Sequence, residues 1–123
     1  MSGKRILVID DSNTNLVLLE SLLEKNGYDV HSALSAMEGI EDLKNRKADL
    51  IYLDFLMPEI DGLEFMDMLK KNEEWKDIPV VILSAISDAE IIKRSKEKGV
   101  IDYITKPINI HKIIDLTKDI LSN

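Results

Sequence analysis

The stretch Leu50–Leu53, with the sequence LIYL, is a continuous apolar run that is followed directly by Asp54. A short apolar run without alternation is typical of a strand that is covered on both faces, as strands are in a parallel sheet. Four other runs predict further strands, two of them almost as apolar and two mixed, which favours positions nearer to the sheet edges. These runs are Arg5–Ile9, Tyr28–Ser32, Val80–Ser84 and Asp102–Ile104.

Longer stretches with the period of a helix separate the five apolar runs. The first carries Leu16, Leu19 and Leu23 on one stripe and stops at Asn26-Gly27, a pair that suits a helix C-terminus. The predicted helices begin near Ser12-Asn13, at Ser35, near Gly62, at Ser87 and near Asn109, and the last three end near Lys71, Gly99 and Leu121.

Two of these helices begin with a serine that is followed three residues later by a glutamate. In a capping box of this kind each side chain accepts a hydrogen bond from the backbone of the other residue. The pairs Ser35–Glu38 and Ser87–Glu90 fit the pattern. The last helix is predicted to have one apolar face, made of Ile110, Ile113, Ile114, Thr117 and Leu121.

The strict alternation of five strands with five helices predicts an α/β fold with one parallel sheet and helices on both faces. Right-handed crossovers leave few topologies, and the expected one is the doubly wound, flavodoxin-like order 2-1-3-4-5. Strands one and three are then neighbours at the switch point, where ligands bind outside the carboxyl ends of the strands. Asp10, Asp11 and Asp54 should meet there, with Ser84 and Lys106 on the same rim.

The composition excludes several classes of protein. A chain of 123 residues suffices for one domain with a single hydrophobic core. The absence of cysteine excludes disulfides, thiolate metal sites and a cysteine nucleophile. The formal charge of −7 argues against direct binding to nucleic acid or to an anionic membrane. The first apolar run is too short for a secretory signal, so a cytoplasmic location is expected.

Three carboxylates at one sheet edge repel one another, so each is expected to be neutralised or to seek a cation. A hard divalent ion with oxygen ligands meets this need, and an all-carboxylate cluster favours Mg²⁺ or Mn²⁺ over Zn²⁺. An acidic pair after a strand is often only a helix cap. Asp54 and Lys106 beside Asp10 and Asp11 favour a functional site instead.

Four motifs, each at the end of a predicted strand, resemble those of the receiver domains of two-component response regulators. The resemblance covers essentially the whole chain and implies one receiver domain over residues 1–123. One motif alone is a weak signal, but four in this order are a strong one. The motifs are Val8–Asp11 (VIDD), Leu53–Gly62 (LDFLMPEIDG), Ile82–Ala85 (ILSA) and Tyr103–Pro107 (YITKP).

The resemblance implies a role for each polar residue of the rim. Asp54 would be the phosphoacceptor, and a carboxylate is a competent nucleophile when the charge of the phosphate donor is neutralised. The Ser84 hydroxyl and the Lys106 ammonium would contact the phosphoryl group. Tyr103 would be an aromatic switch that turns inward when Ser84 moves. The peptide bond between Lys106 and Pro107 would be cis.

The resemblance also implies a magnesium site. Asp10 and Asp11 would hold Mg²⁺, with Mn²⁺ as a substitute, together with the Asp54 carboxylate and the backbone carbonyl of Leu56. The ion on one side and Lys106 on the other would stabilise the charge on the phosphoryl oxygens. No organic cofactor is expected.

The implied function is a phosphorylation-activated signalling module. It would accept a phosphoryl group from a sensor histidine kinase or a histidine phosphotransfer protein, and then switch a surface that binds a downstream protein. It would promote only its own phosphorylation and a slow dephosphorylation, because Leu56 and Ile86 cannot orient the hydrolytic water, so it is not expected to be an enzyme. A monomer or weak dimer is expected, without a nucleic-acid or membrane partner.

Three other functions share part of this pattern. A Mg²⁺-dependent phosphatase or phosphotransferase with an aspartyl-phosphate intermediate, of the haloacid dehalogenase type, needs a second aspartate where Leu56 stands. A flavin-binding module needs a phosphate-binding loop, and Asp10-Asp11 would repel that phosphate. A degenerate receiver that serves as a constitutive scaffold would lack functional groups that are all present here. Neither His31 nor His111 is expected to take part in phosphotransfer.

Overall fold

The computed structural model of the chain describes residues 3–122, so the predicted domain bounds at residues 1 and 123 lie outside it. Within these residues five strands alternate with five helices. The strands are β1 (Arg5–Ile9), β2 (Asp29–Ala33), β3 (Leu50–Asp54), β4 (Val80–Ser84) and β5 (Asp102–Thr105). The helices are α1 (Asn13–Lys25), α2 (Ala36–Asn45), α3 (Gly62–Lys70), α4 (Ala89–Glu97) and α5 (Ile110–Leu121).

The strands form one parallel sheet in the order β2-β1-β3-β4-β5, which confirms the predicted doubly wound fold. The mixed runs are the edge strands β2 and β5, whereas β3 and β4 are buried at every position. The strand ends differ from the prediction by one residue. The strand β2 is shifted by one position toward the C-terminus, and β3 and β5 each extend one residue further.

The sheet separates two hydrophobic cores. On one face Ile51 and Leu53 of β3 pack with residues of α2 and α3. On the other face Leu50 and Tyr52 pack with residues of α1 and α5. Because side chains alternate along a strand, Asp54 follows Tyr52 on the face of α1 and α5. The predicted stripe of α1 is buried in this second core, as shown by Leu16, Leu19 and Leu23.

The helix α2 begins at the predicted residue but forms only half of the predicted capping box. The Ser35 hydroxyl accepts a hydrogen bond from the Glu38 N–H (3.1 Å), as expected. The Glu38 carboxylate, however, accepts from the N–H of Leu34 (3.0 Å). A complete capping box forms at α3, where Asp61 and Glu64 each accept from the other's backbone N–H. An acidic N-cap residue also interacts favourably with the positive end of the helix dipole.

The predicted capping box at Ser87 is wrong, because α4 begins one residue later. Asp88 is the N-cap residue, and its carboxylate accepts hydrogen bonds from the N–H groups of Glu90 (2.8 Å) and Ile91 (3.1 Å). A charged acceptor forms a stronger bond to these N–H groups than a serine hydroxyl does. The carboxylate therefore outcompetes the neighbouring hydroxyl for the start of the helix.

The buried face of α5 is also shifted from the prediction. Ile113 and Thr117 are fully buried, as expected, and Leu116 and Ile120 pack beside them. Ile110, which was predicted to lie on the apolar face of the helix, is 45% exposed. Ile110 is the first helical residue and follows the loop after β5, where the sheet has ended. A residue at that point has no sheet surface to cover.

The longest helix, α1, has 13 residues, against about 20 that a membrane-spanning helix needs. No helix among residues 3–122 is both long and apolar enough to cross a bilayer.

Candidate functional site

The carboxyl ends of four neighbouring strands form one edge of the sheet, and each is followed or completed by a predicted site residue. In the sheet register Ile9 is beside Leu53, and Asp54 is beside Leu83. The backbone N–H of Lys106 donates to the carbonyl of Ser84 (2.8 Å), which joins the ends of β4 and β5. The topology therefore brings the predicted acidic and basic groups to one rim, as the sequence indicated.

The three aspartates form a compact carboxylate cluster. One carboxylate oxygen from each of Asp10, Asp11 and Asp54 lies within 4.8 Å of the other two. Asp10 and Asp54 are only 3% and 8% exposed, whereas Asp11 is exposed. Three acidic groups at this separation attract a cation strongly, since two of them have little water to screen their charge.

Lys106 supplies a cation inside the cluster. Its Nζ atom lies 3.3 Å from Oδ2 of Asp10 and 3.8 Å from Oδ1 of Asp54. The side chain is 21% exposed, so the ammonium is partly shielded from water. The Lys106–Pro107 peptide bond is cis, as the resemblance implied.

Two further contacts hold the Asp10 carboxylate in place. The N–H of Ser12 donates to Oδ1 (2.8 Å), and the side-chain amide of Asn15 donates to Oδ2 (3.2 Å). Asn15 was absent from the predicted site residues. Its position in the first turn of α1 and its polar side chain are ordinary for a helix start, so the sequence alone carries only a weak signal for this contact.

The environment of Asp54 makes the charged carboxylate costly. Burial raises its pKa, the Lys106 ammonium opposes this, and the charges of Asp10 and Asp11 raise it further. A backbone hydrogen bond from Leu56 lowers the pKa, and the outcome is a value of about 6 against an ordinary 3.8. Lys106 alone therefore offsets only part of the negative charge of the three carboxylates, which favours the binding of a second cation.

Ser84 and Tyr103 both form a hydrogen bond with the backbone of Ile86, two residues after the end of β4. The buried Ser84 hydroxyl oxygen accepts from the N–H of Ile86 (3.1 Å), and the Tyr103 hydroxyl donates to the Ile86 carbonyl (2.8 Å). Tyr103 is 8% exposed, so its ring is already turned inward in this structure. Burial raises the pKa of the Tyr103 phenol.

The loop after Asp54 has a constrained backbone. The N–H of Ile60 donates to the carbonyl of Pro58 (2.8 Å), and Glu59 between them has φ of 73°, in the left-handed region. The N–H of Gly62 donates to the carbonyl of Phe55 (2.9 Å), and a Cβ atom on Gly62 would lie 2.8 Å from the Phe55 ring. Only glycine fits this close approach, which returns the chain from the site into α3.

The two histidines lie outside this cluster. His31 is on the edge strand β2, where its ring nitrogen Nε2 lies 2.8 Å from Nη1 of Arg46. His111 is exposed in the first turn of α5. Neither ring contacts an aspartate of the rim, and the nearest carboxylate to His31 is Asp29, at 3.7 Å.

The donor set of the cluster fits Mg²⁺. Carboxylate oxygens are hard ligands, and three of them converge without any softer nitrogen or sulfur donor beside them. The same geometry also suits a nucleophilic role for Asp54, because a carboxylate with a neighbouring lysine can approach an anionic phosphoryl donor. Leu56, which the resemblance proposes as a carbonyl ligand, has its side chain 57% exposed at the mouth of the site.

Comparison with known proteins gives consistent matches over nearly the whole chain. A family model described as the response regulator receiver domain matches residues 6–118. The polar-differentiation response regulator DivK of Brucella ovis is 31% identical over 120 residues, which cover 98% of each chain. The two chains are therefore similar over nearly their whole length.

Solved structures agree with this match. A signal receiver domain of a histidine kinase from Syntrophus aciditrophicus is 35% identical, with a TM-score of 0.89 and coverage of 98% of this chain and 91% of that one. A two-component response regulator from Clostridium difficile is 27% identical, with a TM-score of 0.91 and coverage of 98% and 97%. In both cases the likeness covers nearly the whole of this chain.

Proposed function

The chain belongs to the response regulator receiver domain family, and we propose that it is a signalling module that accepts a phosphoryl group on Asp54. The observation that carries this proposal is the position of the Asp54 carboxylate, which ends a buried strand and lies beside Lys106 and two further aspartates. Its phosphoryl donor would be a phosphohistidine of a sensor kinase or of a histidine phosphotransfer protein.

In the transfer step an Asp54 carboxylate oxygen forms a bond to phosphorus while the bond from phosphorus to the donor nitrogen breaks. The donor imidazole keeps the electron pair and takes up a proton from solvent. Lys106 faces the incoming phosphoryl oxygens and stabilises their charge. The Ser84 hydroxyl, whose oxygen accepts a hydrogen bond from the Ile86 N–H (3.1 Å), would donate its own proton to a phosphoryl oxygen.

We assign Asp10, Asp11, the Asp54 carboxylate and the Leu56 carbonyl to a Mg²⁺ site. A bound divalent ion supplies positive charge next to the acyl phosphate and offsets the repulsion between the donor and the acidic cluster. Neighbouring residues of the chain hold the charged groups of the site in position. Ser12 and Asn15 orient the Asp10 carboxylate, and the Lys106 ammonium lies beside both Asp10 (3.3 Å) and Asp54 (3.8 Å).

The proposed output is a change in the surface formed by α4, β5 and α5. A phosphoryl group that draws the Ser84 hydroxyl toward itself would disturb the Ser84 contact with Ile86, whose carbonyl accepts from Tyr103. Since Tyr103 is already inside, phosphorylation would select or stabilise an existing arrangement of this ring instead of creating a new one. Tyr103 is therefore proposed as the element that reports the state of Asp54.

The surface around the site suits a protein donor. Six of the seven large apolar side chains that are exposed within residues 3–122 lie on segments that follow strand ends at this edge. Exposed apolar groups on the segments that leave this edge of the sheet favour a protein interaction surface there. They are Val17, Leu18, Leu34, Met37, Leu56 and Ile110.

We propose that the module turns over no free substrate. The alternative phosphatase or phosphotransferase needs an acid-base residue beside the nucleophile, and the exposed Leu56 side chain at that position supplies none. A single domain over residues 1–123, a cytoplasmic location and a monomer or weak dimer stay predictions from the sequence.

The test is phosphotransfer from a radiolabelled histidine phosphotransfer protein in the presence of Mg²⁺. The wild-type chain is expected to take up label, and Asp54→Asn is expected to take up none. Asp115→Asn, which changes an exposed carboxylate on α5, is the matched control and should behave as the wild type. Equal labelling of the Asp54→Asn variant would show that the phosphoacceptor lies elsewhere.

A further inference from the structure

We propose that a groove at the edge of the sheet opposite Asp54 binds an extended polypeptide segment that carries acidic side chains at one end, apolar side chains in the middle and basic side chains at the other end. This amino-edge groove has a volume of about 400 Å³. It lies between the end of α2 and the loop after α3, since both segments lead into the first residues of a strand. Its lining includes Leu43, Lys44, Arg46, Lys47, Glu74 and Trp75.

The groove is separate from the phosphorylation site. Its lining residues precede β3 and β4, whereas the site lies where these strands end. A strand of five residues spans about 16 Å, so a ligand in the groove is on the far side of the sheet from Asp54. Such a ligand would leave the carboxylate cluster open to a phosphoryl donor.

Three exposed cations from four consecutive positions give the groove a positive end, in a chain whose net charge is −7. Arg46 contacts the His31 ring (2.8 Å) and has no carboxylate within 4.0 Å among residues 3–122. Lys47 likewise has no carboxylate partner within that part of the chain. Lys44 is paired with Glu41 at 3.1 Å. Two of the three positive charges therefore have no ion-pair partner within 4.0 Å among residues 3–122.

The floor of the groove is apolar and well anchored. Leu43 is 4% exposed, and Trp75 is partly buried against the core beneath it. The loop that carries Trp75 is held by backbone hydrogen bonds from Trp75 to Asn72 (3.1 Å) and from Ile78 to Trp75 (3.0 Å). A fixed indole beside unpaired cations is a surface that an apolar side chain with an acidic neighbour can occupy.

The continuation of the groove favours a polypeptide over a nucleotide. A second depression of about 300 Å³ shares Lys47 and Glu74 with the first and is also lined by Asp49 and Asp77. The combined surface is thus positive at one end and negative at the other. The phosphates of a nucleotide or a nucleic acid would meet these carboxylates, whereas a peptide can place an acidic residue at one end and a basic residue at the other.

The test uses the emission of Trp75, the single tryptophan of the chain. The probe is a short blocked peptide with glutamates at one end, leucines in the middle and lysines at the other end. A saturable change in emission is expected, and amide chemical shifts from NMR should change at the groove residues. A peptide with glutamines in place of the glutamates should bind more weakly. ATP and inorganic phosphate are the competing probes.

Lys47→Glu is expected to weaken binding of the glutamate peptide about tenfold, since it removes an attraction and adds a repulsion. Lys96→Glu, which reverses an exposed charge on α4 outside the groove, is the matched control and should bind as the wild type. Labelling of Asp54 should be the same in both variants. The proposal is overturned if neither emission nor chemical shifts change, if both variants bind equally, or if ATP or phosphate binds better than the peptide.

Discussion

At Asp54 the free energy of the folded protein depends on the charge of one buried group. Burial and two neighbouring carboxylates together outweigh the attraction of Lys106, so the pKa rises from 3.8 to about 6. The folded state then binds a proton more readily than the unfolded state between about pH 4 and pH 6. Without a divalent ion the stability of the fold must therefore fall as the pH rises through this window.

The first prediction follows from this fall in stability with rising pH. Asp54→Asn keeps the shape of the side chain and removes its charge, so it should stabilise the protein above about pH 7 in the absence of Mg²⁺. A pKa difference of about two units corresponds to a gain of up to about 3 kcal/mol in the free energy of unfolding. Lys106 keeps Asp10 as a partner at 3.3 Å, so the lost contact costs little. Urea denaturation at several pH values measures the effect.

The gain should disappear near pH 4, where the Asp54 carboxyl of the wild type is protonated. Asp115→Asn on the exposed side of α5 serves as the control and should change the stability very little at any pH. A constant difference between Asp54→Asn and the wild type from pH 4 to pH 8 would contradict the account of the buried charge.

The second prediction concerns the lifetime of the acyl phosphate. Leu56 lies two residues after Asp54, and its exposed side chain can neither accept nor donate a hydrogen bond to the attacking water. Leu56→Asn should therefore speed the decay of the phosphorylated chain, on the order of tenfold, which is less than a positioned general base provides. Decay of the labelled protein is followed over time after removal of the donor. Leu56→Ala has no polar group and should decay at the wild-type rate, so equal rates for Asn and Ala would count against the idea.

Among the elements, β3 and α5 are joined by a buried polar contact. The hydroxyl groups of Tyr52 and Thr117, both fully buried, share a hydrogen bond, and Thr117 also donates to the Ile113 carbonyl (2.7 Å). Burial raises the pKa of the Tyr52 phenol to about 12, so it stays a neutral hydroxyl. The contact fixes α5 on the strand that ends in Asp54.

The third prediction is that removing one hydroxyl group of this contact costs more stability than removing the other. Tyr52→Phe leaves the Thr117 hydroxyl bonded to Ile113, so the cost should be about 1 kcal/mol. Thr117→Val leaves the Tyr52 hydroxyl buried without its acceptor, so the cost should be about 2 kcal/mol. The double variant should be more stable than Thr117→Val alone, because no polar group is then left unpaired. Urea denaturation of the three variants gives the order, and a strictly additive double variant would refute the proposed contact.

How well the helices, strands and their contacts could be predicted depends on how far apart in the sequence the determining residues lie. The continuous apolar runs gave the strands to within one residue, and the Leu16–Leu23 stripe gave the buried face of α1. These patterns are local. The contact of Tyr52 with Thr117, by contrast, joins positions 65 residues apart and depends on how α5 lies on the sheet. No local pattern encodes that alignment, and for the same reason the pattern could not show that Ile110, on the predicted apolar face, is exposed.

The start of α4 shows a different limit on what the sequence can predict. Ser87 and Asp88 are both good N-cap residues, and the pattern alone favoured the serine because Glu90 follows at the right distance. The structure selects the carboxylate, which accepts two backbone hydrogen bonds. When two neighbouring residues can cap a helix, the sequence predicts the helix but leaves its first residue open within one position.

At the scale of the molecule, the acidic rim should couple the stability of the fold to divalent ions. The cluster contains three carboxylates and one lysine, so a second cation lowers its free energy. The fourth prediction is that Mg²⁺ stabilises the folded state by RT ln(1 + [Mg²⁺]/Kd), or about 2.7 kcal/mol at a hundredfold excess over Kd. Thermal denaturation at increasing Mg²⁺ concentration measures this increase.

Asp11→Ala should abolish the increase, because Asp11 is exposed and its loss removes a ligand without opening a cavity in the core. Asp115→Ala is the control for a lost surface carboxylate and should keep the full effect of Mg²⁺. A variant of Asp11 that retained the whole increase in melting temperature would show that the ion binds elsewhere.

The constellation of the rim was predictable because its cause is topological. Parallel strands bring their carboxyl ends to one edge, so polar residues after apolar runs must meet there once the strand order is known. Asp10, Asp54 and Lys106 lie together for this reason. The strand order could not predict the hydrogen bond from Asn15 to Asp10 or the inward position of the Tyr103 ring. They depend on side-chain conformations that the order of the strands does not determine.

The most direct test of the central claim is the site of covalent modification. The protein is incubated with acetyl phosphate and Mg²⁺, digested under conditions that preserve acyl phosphates, and mapped by mass spectrometry of its peptides. The account predicts one added phosphoryl group on the peptide that contains Asp54, and a beryllium fluoride complex that forms with the wild type but not with Asp54→Asn. A phosphoryl group on another residue, or no modification with either reagent, would contradict it.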